Sequence, residues 1–172
     1  DIRSKDYTSI IDRKSYDRLI AAIEDARVKG AKIINLVEDQ SPDPELRKIP
    51  PLLVLNPTED MIVMQREIFG PIMPIMTYTN KEDVRHYIIE RERPLAFYPF
   101  TEDKHLQKFY LDHIMSGGVS VNDALLHPGQ HDLPFGGVGA SGMGHYHGYE
   151  GFATFSKLRP EIGRAHVCTP VT

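Results

Sequence analysis

The sequence contains no tryptophan, a single cysteine and no long hydrophobic segment. The one thiol, Cys168, cannot form an internal disulfide, which excludes a disulfide-stabilised secreted scaffold and favours a reducing, cytoplasmic compartment. No apolar segment approaches the roughly 20 residues that a membrane-spanning helix needs. The sequence also lacks an excess of positive charge, because its 20 Lys and Arg residues are outnumbered by 24 Asp and Glu residues. The net charge of −4 therefore argues against a protein that binds nucleic acid or a membrane surface.

The pattern of what is present predicts an α/β fold. Short apolar runs alternate with amphipathic segments of helical length, which is typical of a mostly parallel sheet with flanking helices. The 172 residues suit one domain. The predicted helices cover 15–29, a segment after Asn80, and 102–115. The predicted strands cover 32–37, 52–55, 72–78, 95–100, 118–122 and, last in the chain, 152–158.

Several residue types predict where these elements begin and end. Ser15 is a candidate for the start of the first helix, and Gly30 for its end. Asn80 followed by Asp83 predicts a capping box at the next helix. Pro74 lies inside a predicted strand, and because it lacks a backbone N–H that strand must lie at an edge or a bulge.

Glycine is concentrated between Gly129 and Gly151. Within this segment, residues 137–142 match the pattern G-x-G-x-x-G of dinucleotide-binding folds. That fingerprint needs a strand before it and a helix after it, and neither is predicted here. We therefore interpret the segment as a loop.

The stretch from Asp123 to Glu150, which overlaps this segment, contains four histidines and several carboxylates, which raises the alternative of a metal-dependent hydrolase. Two of the histidines, His127 and His131, have a spacing that suits a metal site only on a helix, and Pro128 and Gly129 interrupt one. Loop histidines bonded to backbone or solvent are the favoured interpretation, so we expect no metal. The residues in question are His127, His131, His145, His147, Asp123, Asp132 and Glu150.

The segment from Glu67 to Pro71 combines a carboxylate, an aromatic ring and a Gly-Pro turn. On an extended backbone, Glu67 and Phe69 share one face. A carboxylate can hold the vicinal hydroxyls of a ribose, and an aromatic ring can cover a flat heterocycle. The alternative is a surface glutamate beside a core phenylalanine, which residue type alone favours.

Several motifs in consistent order resemble the aldehyde dehydrogenase superfamily, most closely its class 3 and coniferyl-aldehyde dehydrogenase branch. The resemblance covers about residues 6–160, so it is more specific than any one motif. The motifs are Glu67-Ile68-Phe69-Gly70-Pro71-Ile72, Val121-Asn122-Asp123, residues 133–144, Tyr146-His147-Gly148, Phe155-Ser156-Lys157 and the opening residues 6–11.

The resemblance implies NAD- or NADP-dependent oxidation of an aldehyde, aromatic or medium-chain, to a carboxylate in a homodimeric enzyme. It implies that Glu67 binds the nicotinamide ribose and that Phe69 contacts the nicotinamide end. Phe135 and His147 would line the substrate side, and Asn122 would close the strand that leads into this loop. The fold implied is the C-terminal portion of the catalytic domain, with the last strand at a subunit interface.

The resemblance also implies what the chain does not contain. The family's nucleophilic cysteine, its general-base glutamate and most of its cofactor domain would precede Asp1, so we expect the chain alone to be inactive. Residues 1–160 are thus interpreted as a partial catalytic domain. Residues 161–172 resemble no part of the family and look like a translated sequencing adapter, which predicts a non-native tail. A non-catalytic interaction domain is a further alternative.

Overall fold

The computed structural model describes residues 1–163. The chain divides into two units, the first covering Asp1–Tyr78 and the second beginning at Thr79. The elements of the first unit are α1 (Arg13–Val28), β1 (Lys32–Asn35), β2 (Leu52–Leu55), α2 (Ile62–Gln65) and β3 (Ile72–Ile75). Those of the second are α3 (Lys81–Ile89), β4 (Ala96–Phe97), α4 (Lys104–His113), β5 (Gly118–Val119), a 3-10 turn (His127–Gly129) and α5 (Gly148–Thr154).

Within residues 1–163, each unit contains one small sheet. In the first, the strand order is β1-β2-β3, with β2 antiparallel to β1 and parallel to β3. Pro74 lies opposite Val54 in β3, which is an edge strand, so the position predicted for this proline is confirmed. In the second unit β4 and β5 pair in parallel. The α/β class is confirmed, although β1 adds an antiparallel pair to the parallel ones.

The hydrophobic core of the first unit forms where α1 packs against the sheet. Leu19 and Ala26 of α1 and Val54 of β2 have no exposed surface. Burial repeats every three or four residues along α1, which is the spacing that keeps one helix face apolar. The buried residues of this core are Tyr16, Leu19, Ala22, Ile23, Ala26, Ile49, Leu52, Val54, Met61, Val63 and Ile72.

The helix boundaries follow the predicted capping chemistry with one correction. The side chain of Asp12, and not of Ser15, caps α1, because its carboxylate accepts a hydrogen bond from Ser15 N at 2.6 Å. Gly30 follows the end of α1 with a φ of 86°, as predicted. The capping box of Asn80 and Asp83 at the start of α3 is also confirmed.

The predicted final strand over residues 152–158 is wrong. Residues up to Thr154 belong to α5, and the residues after it form no strand within the described part of the chain. The hydroxyls of Thr154 and Ser156 donate to carbonyl oxygens four residues earlier, at 2.8 and 2.6 Å. These local bonds favour helical backbone, whereas a strand needs a neighbouring strand to pair with.

No helix within residues 1–163 is long and apolar enough to cross a membrane. The predicted tail, residues 161–172, lies outside the described residues from Arg164 onward, as does Cys168.

Candidate functional site

The segment that contains Glu67 and Phe69 follows α2 in the first unit and is open to solvent. The Phe69 side chain is 75% exposed, so the interpretation of this residue as a core phenylalanine is wrong. Its backbone φ is 48°, in the left-handed region that bulky residues rarely adopt. Glu67 is also exposed, and no hydrogen bond or ion pair of the described residues engages its carboxylate. Both side chains are therefore available to a ligand.

The start of α2, just before this segment, is attached to α1 by a carboxylate. Asp25 of α1 accepts a hydrogen bond from Ile62 N at 2.8 Å. The pKa of Asp25 is lowered, mainly by the hydrogen-bonded Lys29 ammonium 2.8 Å away and then by this backbone N–H. Lys29, the residue that follows α1, in turn donates to the carbonyl oxygen of Asp60, so the C-terminal end of α1 and the residue after it hold both ends of the turn into α2.

In the second unit, Asn122 joins the ends of two parallel strands. It follows β5, and its side chain accepts a hydrogen bond from Thr101 N at 2.7 Å and donates to Thr101 O at 3.1 Å. Its φ of 57° is a conformation that asparagine tolerates well. Asn56 does the same in the first unit, with a φ of 46° and a side chain that accepts from Thr77. Asn122 thus lies beyond the end of β5, where its side chain binds both backbone groups of Thr101.

The glycine-rich segment is a loop, as predicted. Phe135 and Tyr146 exchange two backbone hydrogen bonds of 2.8 Å and close its base. Inside it, the Ser141 hydroxyl accepts from Val138 N at 2.9 Å and donates to Val138 O at 3.1 Å. The first helix after the G-x-G-x-x-G pattern, α5, begins only at Gly148, which does not fit a dinucleotide fingerprint.

Phe135 lies between two histidines. Its ring centroid is 5.5 Å from that of His127 and 6.1 Å from that of His147, with the His147 ring stacked at 29°. Tyr146 packs edge-on against both Phe135 and His147. Tyr98 contributes a further ring, 5.7 Å from His127. These rings form an aromatic cluster around a residue predicted to lie on the substrate side.

The two histidines contain buried nitrogen atoms without a hydrogen-bond partner. Both ring nitrogens of His127 and Nδ1 of His147 are in this state. His127 packs so closely on β5 that a Cβ at Gly118 would lie 2.6 Å from its Cδ2 atom. His147 has a φ of 73°. Unpaired polar atoms and strained backbone both cost stability, and such features concentrate at functional sites.

The histidine segment does not assemble into a metal site in the part of the chain that the structure describes. Within residues 1–163, no three His, Cys, Asp or Glu side chains are placed to share an ion. His131 instead packs edge-on against His147, with centroids 5.2 Å apart.

The structure thus divides the predicted site residues between its units. Glu67 and Phe69 lie in the first, whereas Asn122, Phe135 and His147 lie in the second. It brings Phe135 and His147 into contact. Sequence reasoning missed Tyr98 and Tyr146 as members of the cluster. No sequence signal marks Tyr98, but Tyr146 lies one residue before His147 in a motif already noted.

The comparisons with known proteins give the family. A model described as the aldehyde dehydrogenase family matches residues 2–160. The chain belongs to the aldehyde dehydrogenase family. This finding confirms the resemblance noted from the sequence motifs.

The curated relatives of this aldehyde dehydrogenase chain include enzymes with different named substrates. It is 50% identical over 154 residues to a probable coniferyl aldehyde dehydrogenase of Pseudomonas aeruginosa, covering 90% of this chain and 32% of that protein. It is 40% identical over 160 residues to the 4,4'-diaponeurosporen-aldehyde dehydrogenase of Staphylococcus aureus, covering 93% and 34%. The chain therefore spans about one third of the length of the relatives it matches.

Solved structures of aldehyde dehydrogenases share the fold. A Staphylococcus aureus AldH in a substrate-bound state matches with a TM-score of 0.78 and 38% identity, over 94% of this chain and 36% of that one. An indole-3-acetaldehyde dehydrogenase of P. syringae, in complex with NAD+, matches with a TM-score of 0.76 over 88% and 30%. Its identity of 21% makes this second match a likeness of fold alone.

Proposed function

We propose that this chain supplies part of the cofactor site and part of the substrate site of an NAD(P)-dependent aldehyde dehydrogenase. The observation that carries the proposal is the exposed pair of Glu67 and Phe69 in a chain that belongs to this family. The substrate we propose is an aromatic aldehyde of the coniferyl type, oxidised to its carboxylate. Identities of 43–50% to coniferyl aldehyde dehydrogenases support that choice.

The residues of the first unit suit a nicotinamide nucleotide. Both carboxylate oxygens of Glu67 can accept hydrogen bonds from the two hydroxyls of a ribose, because no protein group of the described residues occupies them. The exposed ring of Phe69, two residues later, offers an apolar face to the nicotinamide. When bound, the nicotinamide supplies the hydride acceptor of the reaction. The chain's part is to hold and orient it.

The residues of the second unit suit an aromatic substrate. Phe135 is half-buried and held from two directions by His127 and His147, so its ring has a defined orientation. An aromatic aldehyde gains apolar contact area against such a ring, and ring pairs add about 0.5–1.5 kcal/mol beyond area burial. We propose that Phe135 and His147 line the substrate side and exclude water from it.

Covalent oxidation of an aldehyde in this family needs a thiolate and a general base. Residues 1–160 contain no cysteine, and Cys168 lies beyond the family match. We therefore propose that the nucleophile comes from sequence outside this chain. The 172-residue chain alone is then expected to show no turnover of NAD+ or NADP+ with aldehydes. Measurable turnover by the purified chain would refute this part of the proposal.

A chimera tests the proposed function. Residues 2–160 replace the matching third of the Pseudomonas aeruginosa relative, and the purified chimera is assayed for NAD+ and NADP+ reduction with coniferyl aldehyde and with a medium-chain aliphatic aldehyde. We expect turnover, with the aromatic substrate preferred. A folded chimera that binds neither cofactor nor aldehyde would contradict the proposal.

Glu67→Gln in the same chimera tests the ribose contact. The amide retains one acceptor oxygen but loses the charge, so we expect the KM for NAD+ to rise about tenfold, corresponding to the loss of one charge-assisted hydrogen bond. Glu45→Gln is the matched control, because Glu45 is an exposed glutamate of the same unit. Equal cofactor kinetics in both variants would remove Glu67 from the site.

A further inference from the structure

Two consecutive residues of α1, Arg18 and Leu19, contact the segment that contains Glu67 and Phe69. Arg18 Nη2 donates a hydrogen bond to the carbonyl oxygen of Ile68 at 2.7 Å, in a partly buried position. These residues are 50 positions apart in sequence, so the bond is a tertiary contact and not part of a local turn. The bond holds the peptide group between Ile68 and Phe69 against the side of α1.

Leu19 fixes the segment on the other side of Phe69. It is completely buried, and a Cβ at Gly70 would lie 2.5 Å from its Cδ1 atom. The backbone of Gly70 therefore rests directly on the Leu19 side chain. No other residue type fits at position 70 without displacing the core.

Phe69 lies between these two contacts with its φ of 48°. A bulky residue in this region costs on the order of 1–2 kcal/mol, and it persists only where surrounding contacts determine the backbone on both sides. The buried core supplies the contact at Gly70. The Ile68 side chain also packs against this core, but its carbonyl oxygen is held by a single side chain, Arg18, whose guanidinium has no carboxylate partner among the described residues. Its one identified hydrogen bond is the one to this carbonyl.

We propose that Arg18 is a positioning residue for the cofactor segment: its hydrogen bond to Ile68 sets the left-handed conformation of Phe69 and thereby the directions of the Glu67 and Phe69 side chains. The proposal rests on the proposed function for the role of those two side chains. The conformation of Phe69 itself does not depend on it.

Three variants separate this role from a general effect on folding. Arg18→Met retains an unbranched apolar side chain but has no donor, whereas Arg18→Lys retains one charged donor. Arg27→Met is the matched control on the same helix, because Arg27 is exposed and its ion pair within residues 1–163 is with Glu24, three residues earlier.

The first measurement uses the 172-residue chain. Backbone chemical shifts of Phe69 are recorded by NMR for each variant. We expect Arg18→Met to move them away from left-handed values, Arg18→Lys to restore them in part, and Arg27→Met to leave them unchanged. Shifts at Phe69 that are the same in Arg18→Met as in the parent chain overturn the inference. If Arg18→Met does not fold, the Phe69 shifts of Arg18→Lys are compared with those of Arg27→Met. Equal shifts in these two variants then overturn the inference.

The second measurement uses the chimera that carries residues 2–160. We expect Arg18→Met to raise the KM for NAD+ about tenfold, as for a lost hydrogen bond of a charged group, while the KM for the aldehyde stays the same. If the backbone shifts of Phe69 change while the KM for NAD+ does not, Arg18 still sets the conformation of the turn. That result would overturn the cofactor role proposed for Glu67 and Phe69. The two failures are therefore distinguishable.

Discussion

Three of the five candidate site residues have left-handed backbone conformations. The φ angles are 48° at Phe69, 57° at Asn122 and 73° at His147. Asparagine adopts this region at little cost, because its short polar side chain can bond locally. Phenylalanine does not share that advantage, and His147, with a ψ of 149°, lies outside the left-handed helical well that histidine tolerates. Their strain is stored where the proposed ligands bind, so stability and function are expected to respond oppositely to changes at these positions.

Replacing Phe69 with glycine tests this opposition. Phe69→Gly removes the steric cost of a positive φ but adds freedom to the unfolded chain, and we expect the free energy of unfolding to rise by about 0.5–1 kcal/mol. Little buried area is lost, since the ring is 75% exposed. Urea unfolding monitored by circular dichroism measures the change. Phe100→Gly is the control, because Phe100 is 68% exposed and does not have a positive φ. Equal destabilisation by the two substitutions would show that the backbone of Phe69 stores no strain.

The contact of His127 with Gly118 determines where the aromatic cluster lies on β5. A methyl group at position 118 would overlap the imidazole ring, so we expect Gly118→Ala to lower the free energy of unfolding by about 1–3 kcal/mol. Gly129→Ala should have a smaller effect, because a Cβ there meets nothing within 4 Å. In a double-mutant cycle, His127→Ala should recover much of the loss caused by Gly118→Ala. If the effects of Gly118→Ala and His127→Ala on the free energy of unfolding simply add, the new methyl group does not displace the His127 ring.

At the scale of elements, helices were predicted more accurately than strands. The helix predicted over 15–29 forms at Arg13–Val28, because apolar spacing and capping residues are both local signals. The strand predicted over 72–78 ends at Ile75, and that over 95–100 contains only Ala96–Phe97. A strand extends only as far as its neighbour pairs with it, and that partner is not encoded in the strand's own residues.

The same distinction applies to the candidate site. The turn after Glu67 could be predicted because the Gly-Pro pair of the motif favours one, and the turn at Asn122 after β5 because asparagine favours such positions. The left-handed conformation of Phe69 could not, since nothing in the residue favours it and the cause lies on α1. The rings around Phe135 converge from three separate segments, which only the fold brings together.

Helix capping by an aspartate carboxylate makes the stability of the chain depend on pH. Asp103 caps α4, and the backbone N–H groups of Leu106 and His105 lower its pKa. A lowered folded-state pKa means that this stabilisation is present above the unfolded value, about 3.9, and is lost as pH falls through the folded value. We expect the melting temperature of the chain to fall below about pH 4. Asp103→Asn, which still accepts hydrogen bonds but does not titrate, should show a smaller fall.

The control for this prediction is Glu102→Gln, which changes a neighbouring exposed carboxyl group without touching the cap. Melting curves by circular dichroism between pH 3 and pH 6, on the order of the range over which carboxyl groups titrate, provide the measurement. The same acid dependence in Asp103→Asn as in the parent chain would contradict the assigned cause.

At the scale of the whole molecule, burial is uneven. The hydrophobic core described above lies entirely in the first unit. Of the aromatic and branched aliphatic side chains between residues 79 and 163, only those of Tyr110 and Ile114 are buried. Many others there are exposed, and their number exceeds what scattered surface residues account for. The largest exposed fractions belong to Leu125, Met143, Tyr149, Phe152, Phe155, Leu158 and Ile162.

Hydrogen exchange should report this difference directly. Amides that open only on loss of a packed core exchange slowly, whereas those in sparsely packed regions exchange by local opening. We expect amides of α1 and β2 to exchange at least tenfold more slowly than those of α4. A tenfold difference corresponds to about 1.4 kcal/mol in the free energy of opening. Exchange of the 172-residue chain followed by mass spectrometry measures both. Equal protection in the two units would contradict the expectation.

The position of the core also has a consequence for synthesis. The core of the first unit is contained within residues 1–78, so it can form before residues 79–163 have left the ribosome. The second unit emerges afterwards with most of its aromatic and aliphatic side chains uncovered. Exposed apolar side chains of this kind make a folding chain prone to aggregation. The cellular lifetime of a chain made of these residues alone is therefore expected to depend strongly on residues 79–163.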